Sequence, residues 1–279
     1  MTSLLILFLS GLLGGVLTGL LGIGGGIVYV LILPYIFNHT GIPQDYMVQF
    51  TIANSLFGIF FASLAANLTN LYYRDFYLRE ALWVGLSGVI GALIILKTVV
   101  NHPSYSPLIF NGILVALFIY MLISLILRRK FKGDQGSQQS PEVMLGLAGG
   151  AGGILSALTG GGGGVIIVPI LTVKLKMNIK KAKSISLTMI LLTSLGVSTM
   201  NFFENLPDEP LPWQVGFIYL PVAVPLVAGV ILGSPLGVRI SRMLSSGTIS
   251  IIFGIFMLIL IVDKTIHFIQ ALMQEMALG

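Results

Sequence analysis

The sequence predicts an all-α polytopic membrane protein built from two inverted-topology repeats, each a re-entrant, glycine-broken helical hairpin plus three transmembrane helices. Three observations carry this expectation: an apolar composition, a glycine motif that occurs twice, and basic residues gathered between apolar runs. Of the 279 residues 56% are hydrophobic and 9% charged, and mean hydropathy is +0.99, whereas soluble domains carry about 25% charged residues. Apolar runs recur from Leu4 to Ile269, several supplying the ~20 residues that a ~30 Å hydrocarbon core requires. An outer-membrane barrel would alternate apolar and polar residues in ~10-residue segments, but Ile249 to Val262 stays apolar.

The net charge of +5 does not indicate nucleic acid, because the basic residues form short clusters between apolar runs, which is an orientation signal. Cysteine is absent, which excludes thiolate metal sites and cysteine nucleophiles and leaves the redox compartment open. The opening Met1-Thr2-Ser3 has no basic residue before the first apolar run, so that run reads as part of the mature fold rather than a signal peptide.

The duplication is read directly. Gly14 to Ile27 aligns without a gap on Gly152 to Val165, with glycines coinciding at six positions. Ala53-Asn54-Ser55-Leu56 then matches Ser184-Ile185-Ser186-Leu187, and Ala62-Ser63-Leu64-Ala65 matches Thr193-Ser194-Leu195-Gly196. Trp83 and Trp213 follow, read as interfacial anchors at the starts of corresponding spans.

The expected organisation is a first repeat over 1–131 with a hairpin at 4–37 and spans at 49–68, 81–96 and 108–127, a cytoplasmic linker at 132–141, and a second repeat over 142–279. The latter has its hairpin at 143–173 and spans at 184–201, 213–236 and 248–262. The linker and the Lys174 to Lys183 segment are both basic and are both assigned to the cytoplasm. Val143 to Leu158 and Val165 to Val173, split by five glycines, are each too short to cross comfortably and must then enter and leave by one side. An odd number of crossings inverts the first half. All Lys and Arg except Lys97 and Lys264 fall on the cytoplasmic side, and both termini on the other. The expected location is the cell (inner or plasma) membrane.

The chemistry lies in the two glycine runs, Gly22, Gly24, Gly25 and Gly26 in one half and Gly160, Gly161, Gly162, Gly163 and Gly164, preceded by Thr159, in the other. Glycine lets a ligand approach the main chain. Each run ends where an apolar helix begins, offering free N–H groups and the positive end of a helix dipole. Two such ends meeting from opposite faces form the mid-membrane anion site of many secondary transporters. Close packing of small residues is the competing account. An anion site also needs space, so both glycine bends sealed inside tight contacts, with no void beside them, would sink the permease reading.

Polar neighbours are Thr18, Thr51, Asn54, Ser55, Ser63 and Asn67, and in the second half Ser156, Thr159, Ser186, Thr188, Thr193, Ser194 and Asn201. Ser55 with Ser63, and Ser186 with Ser194, share a helix face. The hydroxyls can equally bond their own backbone. In this organisation no Asp, Glu, Lys or Arg sits inside a span. Desolvating an ion costs several kcal/mol and one helix end returns only ~0.3–2 kcal/mol, so a monoanion or protonated species suits the site better than a dianion. His39, His102 and His267 lack metal-ligand spacing, the glycines match neither a P-loop nor a dinucleotide fingerprint, and no catalytic constellation appears. Neither an enzyme, a metal, nor a cofactor is expected.

These residues resemble the sulfite exporter TauE/SafE family: the paired openings Gly14 to Gly26 and Gly152 to Gly164, the Ala53 to Leu56 segment, the two tryptophans and the Gly229 to Gly237 stretch. The resemblance covers nearly the whole chain. It implies a permease without ATP-binding domains that moves a small sulfur-containing anion such as sulfite, a sulfonate or sulfoacetate. Ile23 stands in the first run where the second has Gly161, so the half-sites need not contribute equally. Expected partners are the small anion and the lipid bilayer, with no nucleic acid. The coupling ion, H+ or Na+, the direction of movement and the oligomeric state are left open, as are a passive anion channel and a non-transport membrane scaffold.

Overall fold

A computed structural model of the chain describes residues 2–73, 77–102, 105–128, 141–204 and 211–278. Most of the expected linker (132–140), Arg74, Arg129, Lys130, Lys132, Asp208 and Glu209 lie outside the described residues. The first half comprises α1 (Thr2–Leu21), α2 (Gly26–Phe37), α3 (Met47–Tyr72), α4 (Leu78–Ile95, prolonged by a π-helical turn over Leu96–Val100) and α5 (Pro107–Arg128). The second comprises α6 (Glu142–Thr159), α7 (Gly164–Pro169, prolonged by a π-helical turn over Ile170–Lys174), α8 (Ile179–Phe202), α9 (Leu220–Met243) and α10 (Ser246–Leu278). A two-stranded antiparallel ribbon, β1 (Gln214–Val215) and β2 (Ile218–Tyr219), precedes α9 with Val215 opposite Ile218.

Six helices among the described residues are long and apolar enough to cross a membrane. The surface of the whole bundle, α10 included, is apolar where that of a soluble protein is polar. Leu5, Leu9 and Leu13 of α1, Leu82, Leu86, Ile90 and Ile94 of α4, and Ile251, Ile255 and Ile259 of α10 are exposed, whereas Thr18, Asn54, Ser55, Ser156 and Ser186 are buried. Exposed apolar stripes, with polar groups held inside, are what a hydrocarbon solvent selects.

Inside lipid no hydrophobic force draws helices together, so close van der Waals approach does the work. In α1, Gly11, Gly15 and Gly19 face the backbone of Leu226, Val230 and Ser234 in α9; in return Gly229, Gly233 and Gly237 face Phe8, Leu12 and Val16. The α4–α6 pair is built alike, with Gly149 and Gly153 against the carbonyls of Val84 and Gly88, and Gly91 against that of Gly150. A side chain at these positions would strike main chain, which cannot move aside. Between the two pairs α3 packs on α8, where Thr188 Oγ1 donates to Asn67 Oδ1 at 2.9 Å, and α5 packs on α10.

Charged contacts gather several helix ends at one end of the bundle. Arg79 at the start of α4 pairs with Glu142 at the start of α6 (2.6 Å), and Lys181 near the start of α8 pairs with Glu80 (2.5 Å). Arg242, at the end of α9, lies 4.1 Å from the ring of Tyr73, which follows α3. Such partly exposed pairs add little stability, but they bring together the segments that the charge pattern assigns to one side.

Three expectations are corrected. The span at 213–236 does not begin at Trp213, which has φ +66° and precedes the ribbon; Gly216, at φ +54°, turns the chain there and the helix starts at Leu220. Trp83, by contrast, lies within α4. The span at 248–262 continues helically to Leu278. Finally, of the hairpin arms, α1 and α6 are long enough to span, and α2 and α7 are short.

Candidate functional site

Each hairpin turns at its glycine run. Gly22 (φ +68°) and Gly160 (φ +64°) end α1 and α6 in the left-handed conformation, their amides donating back to Thr18 O at 2.9 Å and Ser156 O at 3.0 Å. The chain then folds back along the helix it has left: Gly25 lies against the Gly14 carbonyl and Gly163 against that of Gly152, at equivalent positions of the aligned motifs.

The two bends meet. A Cβ on Gly24 would lie 2.6 Å from Gly161 O, and one on Gly164 would lie 2.8 Å from Gly22 O. Gly26 abuts Gly160 O. Two serines brace this crossing reciprocally: Ser55 Oγ of α3 donates to Gly160 O in the opposite bend at 2.7 Å, and Ser186 Oγ of α8 donates to Gly22 O at 2.7 Å. Each hairpin is thus fastened to a helix of the other half.

The backbone donors are unevenly used. Thr18 Oγ1 accepts from Gly25 N at 2.6 Å while donating to Gly14 O, and Thr159 Oγ1 accepts from Gly161 N at 3.1 Å. Gly164 N donates to Gly162 O. Among the described residues, the amides of Gly24, Gly26 and Ile27 at the head of α2, and of Gly162, Gly163 and Val165 at the head of α7, have no acceptor. Ser156 occupies the position of Thr18 in the second motif, and its buried Oγ has no partner. Thr18 caps one amide of the first bend, whereas the equivalent hydroxyl of Ser156 caps none in the second.

Of the residues expected at the site, the structure brings together Gly22, Gly24, Gly25, Gly26, Ser55, Ser186, Thr159 and Gly160 to Gly164, all buried. Two stand apart. Asn54 turns to the ribbon, donating to Phe217 O (2.9 Å) and accepting from Tyr219 N (3.0 Å), and Ser194 donates to Ile190 O of its own helix (2.6 Å). The contacts across the crossing are tight, which counts against an open site in this conformation.

Sequence reasoning missed the groups that cap the hairpins. The carbonyl of Leu20, an orphan at the end of α1, accepts from Lys183 Nζ at 2.6 Å; the equivalent carbonyl of Leu158 accepts from Tyr105 OH at 2.7 Å. Burial pushes the Tyr105 hydroxyl well above the ordinary phenol range, so it remains a neutral donor. Lys264, expected outside the spans, continues the helix that holds the last of them. Lys264, only 1% exposed, lies inside α10 with Nζ 3.3 Å from Val30 O of α2. Its signal in sequence was its position two residues after an apolar run, which a helix stopped at 262 places outside.

A bundle of apolar helices with a polar, glycine-broken centre is a multi-pass helical membrane protein of the transporter class. The chain belongs to the sulfite exporter TauE/SafE family, whose model matches residues 6–263. It is 29% identical over 263 residues to a probable membrane transporter protein of Methanocaldococcus jannaschii, covering 91% of this chain and 95% of that one. It is 28% identical to a probable membrane transporter protein of Haemophilus influenzae, covering 94% and 98%, and 28% identical to the probable membrane transporter protein YunE of Bacillus subtilis, covering 92% and 96%.

Proposed function

We propose that this protein is a secondary transporter for a small sulfur-containing anion such as sulfite, a sulfonate or sulfoacetate. Two inverted repeats, 1–131 and 142–279, alternate access around the glycine crossing, and both chain termini lie on the non-cytoplasmic side. The observation that carries this reading is the set of unpartnered amides at the heads of α2 and α7, buried where the two bends touch. A buried N–H without an acceptor costs free energy, and an oxyanion with several acceptor oxygens would relieve that cost. The family name supports the sulfur oxyanion class. Tight contact between the bends favours a closed device that must rearrange over a standing pore.

The test is counterflow in proteoliposomes. Vesicles loaded with unlabelled sulfoacetate should transiently accumulate labelled sulfoacetate above its outside concentration, and Gly163→Val should abolish this while the variant still inserts. Flux that only dissipates a gradient would point to a channel. Unimpaired counterflow in Gly163→Val would remove the glycine crossing from the mechanism.

A further inference from the structure

The contacts of Lys264 belong to a cluster of titratable groups outside the glycine crossing. On α10 the Asp263 carboxylate presents Oδ2 3.5 Å from Lys264 Nζ and 3.9 Å from His267 Nδ1. Its Oδ1 accepts from Tyr35 OH of α2 at 3.4 Å. Oδ2 is enclosed and makes no hydrogen bond. His267 Nδ1 lies 3.0 Å from the Asp263 carbonyl oxygen, which can only accept, so the neutral ring carries its hydrogen on Nδ1 and leaves Nε2 as the proton acceptor. The Tyr35 ring meets the imidazole edge-on at 5.5 Å. Of the other elements packed on α10, α1 has no titratable side chain and α5 has none charged before Arg128 at its end.

Placement gives the cluster its meaning. Val30, whose carbonyl receives the Lys264 ammonium, is four residues into α2, hence ~6 Å along the axis from the free amides at its head. An ionisable group at such depth is a functional candidate by default. Here an ammonium is counterbalanced by one carboxylate, so the cluster is neutral while His267 is neutral.

We propose that Asp263, Lys264 and His267 form a proton-binding site that couples to the anion at the glycine crossing through α2. One proton from the aqueous side adds to His267 Nε2, no bond other than N–H forms, and the cluster gains one positive charge. The imidazolium shares Asp263 with Lys264, and the released positive charge acts on the anion at the head of the same helix. Proton and anion therefore favour each other's binding. Sodium is disfavoured, because the ammonium already neutralises the carboxylate. Histidine suits the task, since one ring nitrogen of the neutral side chain donates while the other is left to accept a proton. The match to the family model ends at residue 263, so Lys264 and His267 lie beyond what the family model covers.

The inference rests on the transporter reading, and the experiment separates the two. Affinity of the purified full chain is measured for methanesulfonate, an anion whose own charge is constant from pH 6 to 8. A unit charge on the order of 10 Å away at an effective dielectric of ~20 changes affinity roughly tenfold. Wild type should bind roughly tenfold more tightly at pH 6 than at pH 8, sodium should change nothing, and His267→Gln should reduce the ratio to below about twofold. A ratio unchanged in His267→Gln overturns the coupling. Gly163→Val should lose binding at both pH values, which tests the anion site alone. The proton site is read without anion, by the pH titration of the His267 ring signals in labelled protein. A titration displaced in Asp263→Asn supports it; identical curves, or no titration between pH 5 and 8, overturn it even if methanesulfonate binds.

Discussion

The glycine crossing makes a quantitative prediction through Gly24. This residue has φ +86°, and a Cβ there would lie 2.6 Å from Gly161 O. Gly24→Ala therefore carries two penalties. Left-handed backbone costs an L-residue roughly 1–2 kcal/mol, and forcing a methyl against fixed backbone adds about 1–3 kcal/mol of overpacking. Gly41 supplies the control: its φ is +79°, and a Cβ there meets nothing within 4 Å. Gly41→Ala bears only the first cost. The two variants should differ by about 1–3 kcal/mol, which for a chain of this size corresponds to a Tm difference of about 2–12 °C. Thermal unfolding of both proteins in detergent measures it, and counterflow in proteoliposomes measures the consequence: Gly41→Ala retains exchange and Gly24→Ala loses it. Equal Tm losses would falsify the claim that the bends bear on one another at Gly24. Retained exchange in a destabilised Gly24→Ala would separate the contact from transport.

Three further outcomes follow from the same geometry. Asn54→Ala strands Phe217 O and Tyr219 N, costing about 1–3 kcal/mol, and should lower Tm without changing anion affinity; a selective loss of affinity would return Asn54 to the site. Ser55→Ala and Ser186→Ala each remove one brace between the halves and should each lower Tm, and because the bends share one contact the double variant should depart from additivity by about 0.5 kcal/mol or more; strict additivity argues that the braces act independently. For the membrane orientation, the chain has no cysteine, so single cysteines report cleanly: Ser106→Cys before α5 should react with impermeant maleimide from the non-cytoplasmic side and Ser245→Cys between α9 and α10 from the cytoplasmic side. The reverse pattern would invert the proposed topology.

Much of this protein is legible in one dimension. Hydrocarbon solvent imposes long apolar helices and penalises unpaired backbone, so the positions of the helices and of the two breaks follow from composition and glycine clustering alone. Boundaries were harder where local chemistry changed. The Gly216 turn replaced the first residues of the ninth helix with a ribbon, and α10 ran on past Val262 because a lysine can be accommodated in a helix when its amine finds a carbonyl and a carboxylate. Small residues likewise announced close packing, but not whose backbone they would approach.

What the sequence by itself determined was the class of protein, its family, the paired hairpins and the glycines at their turns, because these depend on hydropathy and on backbone freedom, both local properties. What only the tertiary structure decided was which donors stay free. Thr18 and Ser156 occupy equivalent positions in the aligned motifs, yet one hydroxyl caps Gly25 and the other is unpartnered. Leu20 and Leu158 end equivalent helices, yet one carbonyl takes an ammonium and the other a phenol. Hydrogen-bond partners lie far apart in the chain, and a distance of an ångström across a helix crossing decides whether a polar group is spent on the fold or left without a partner.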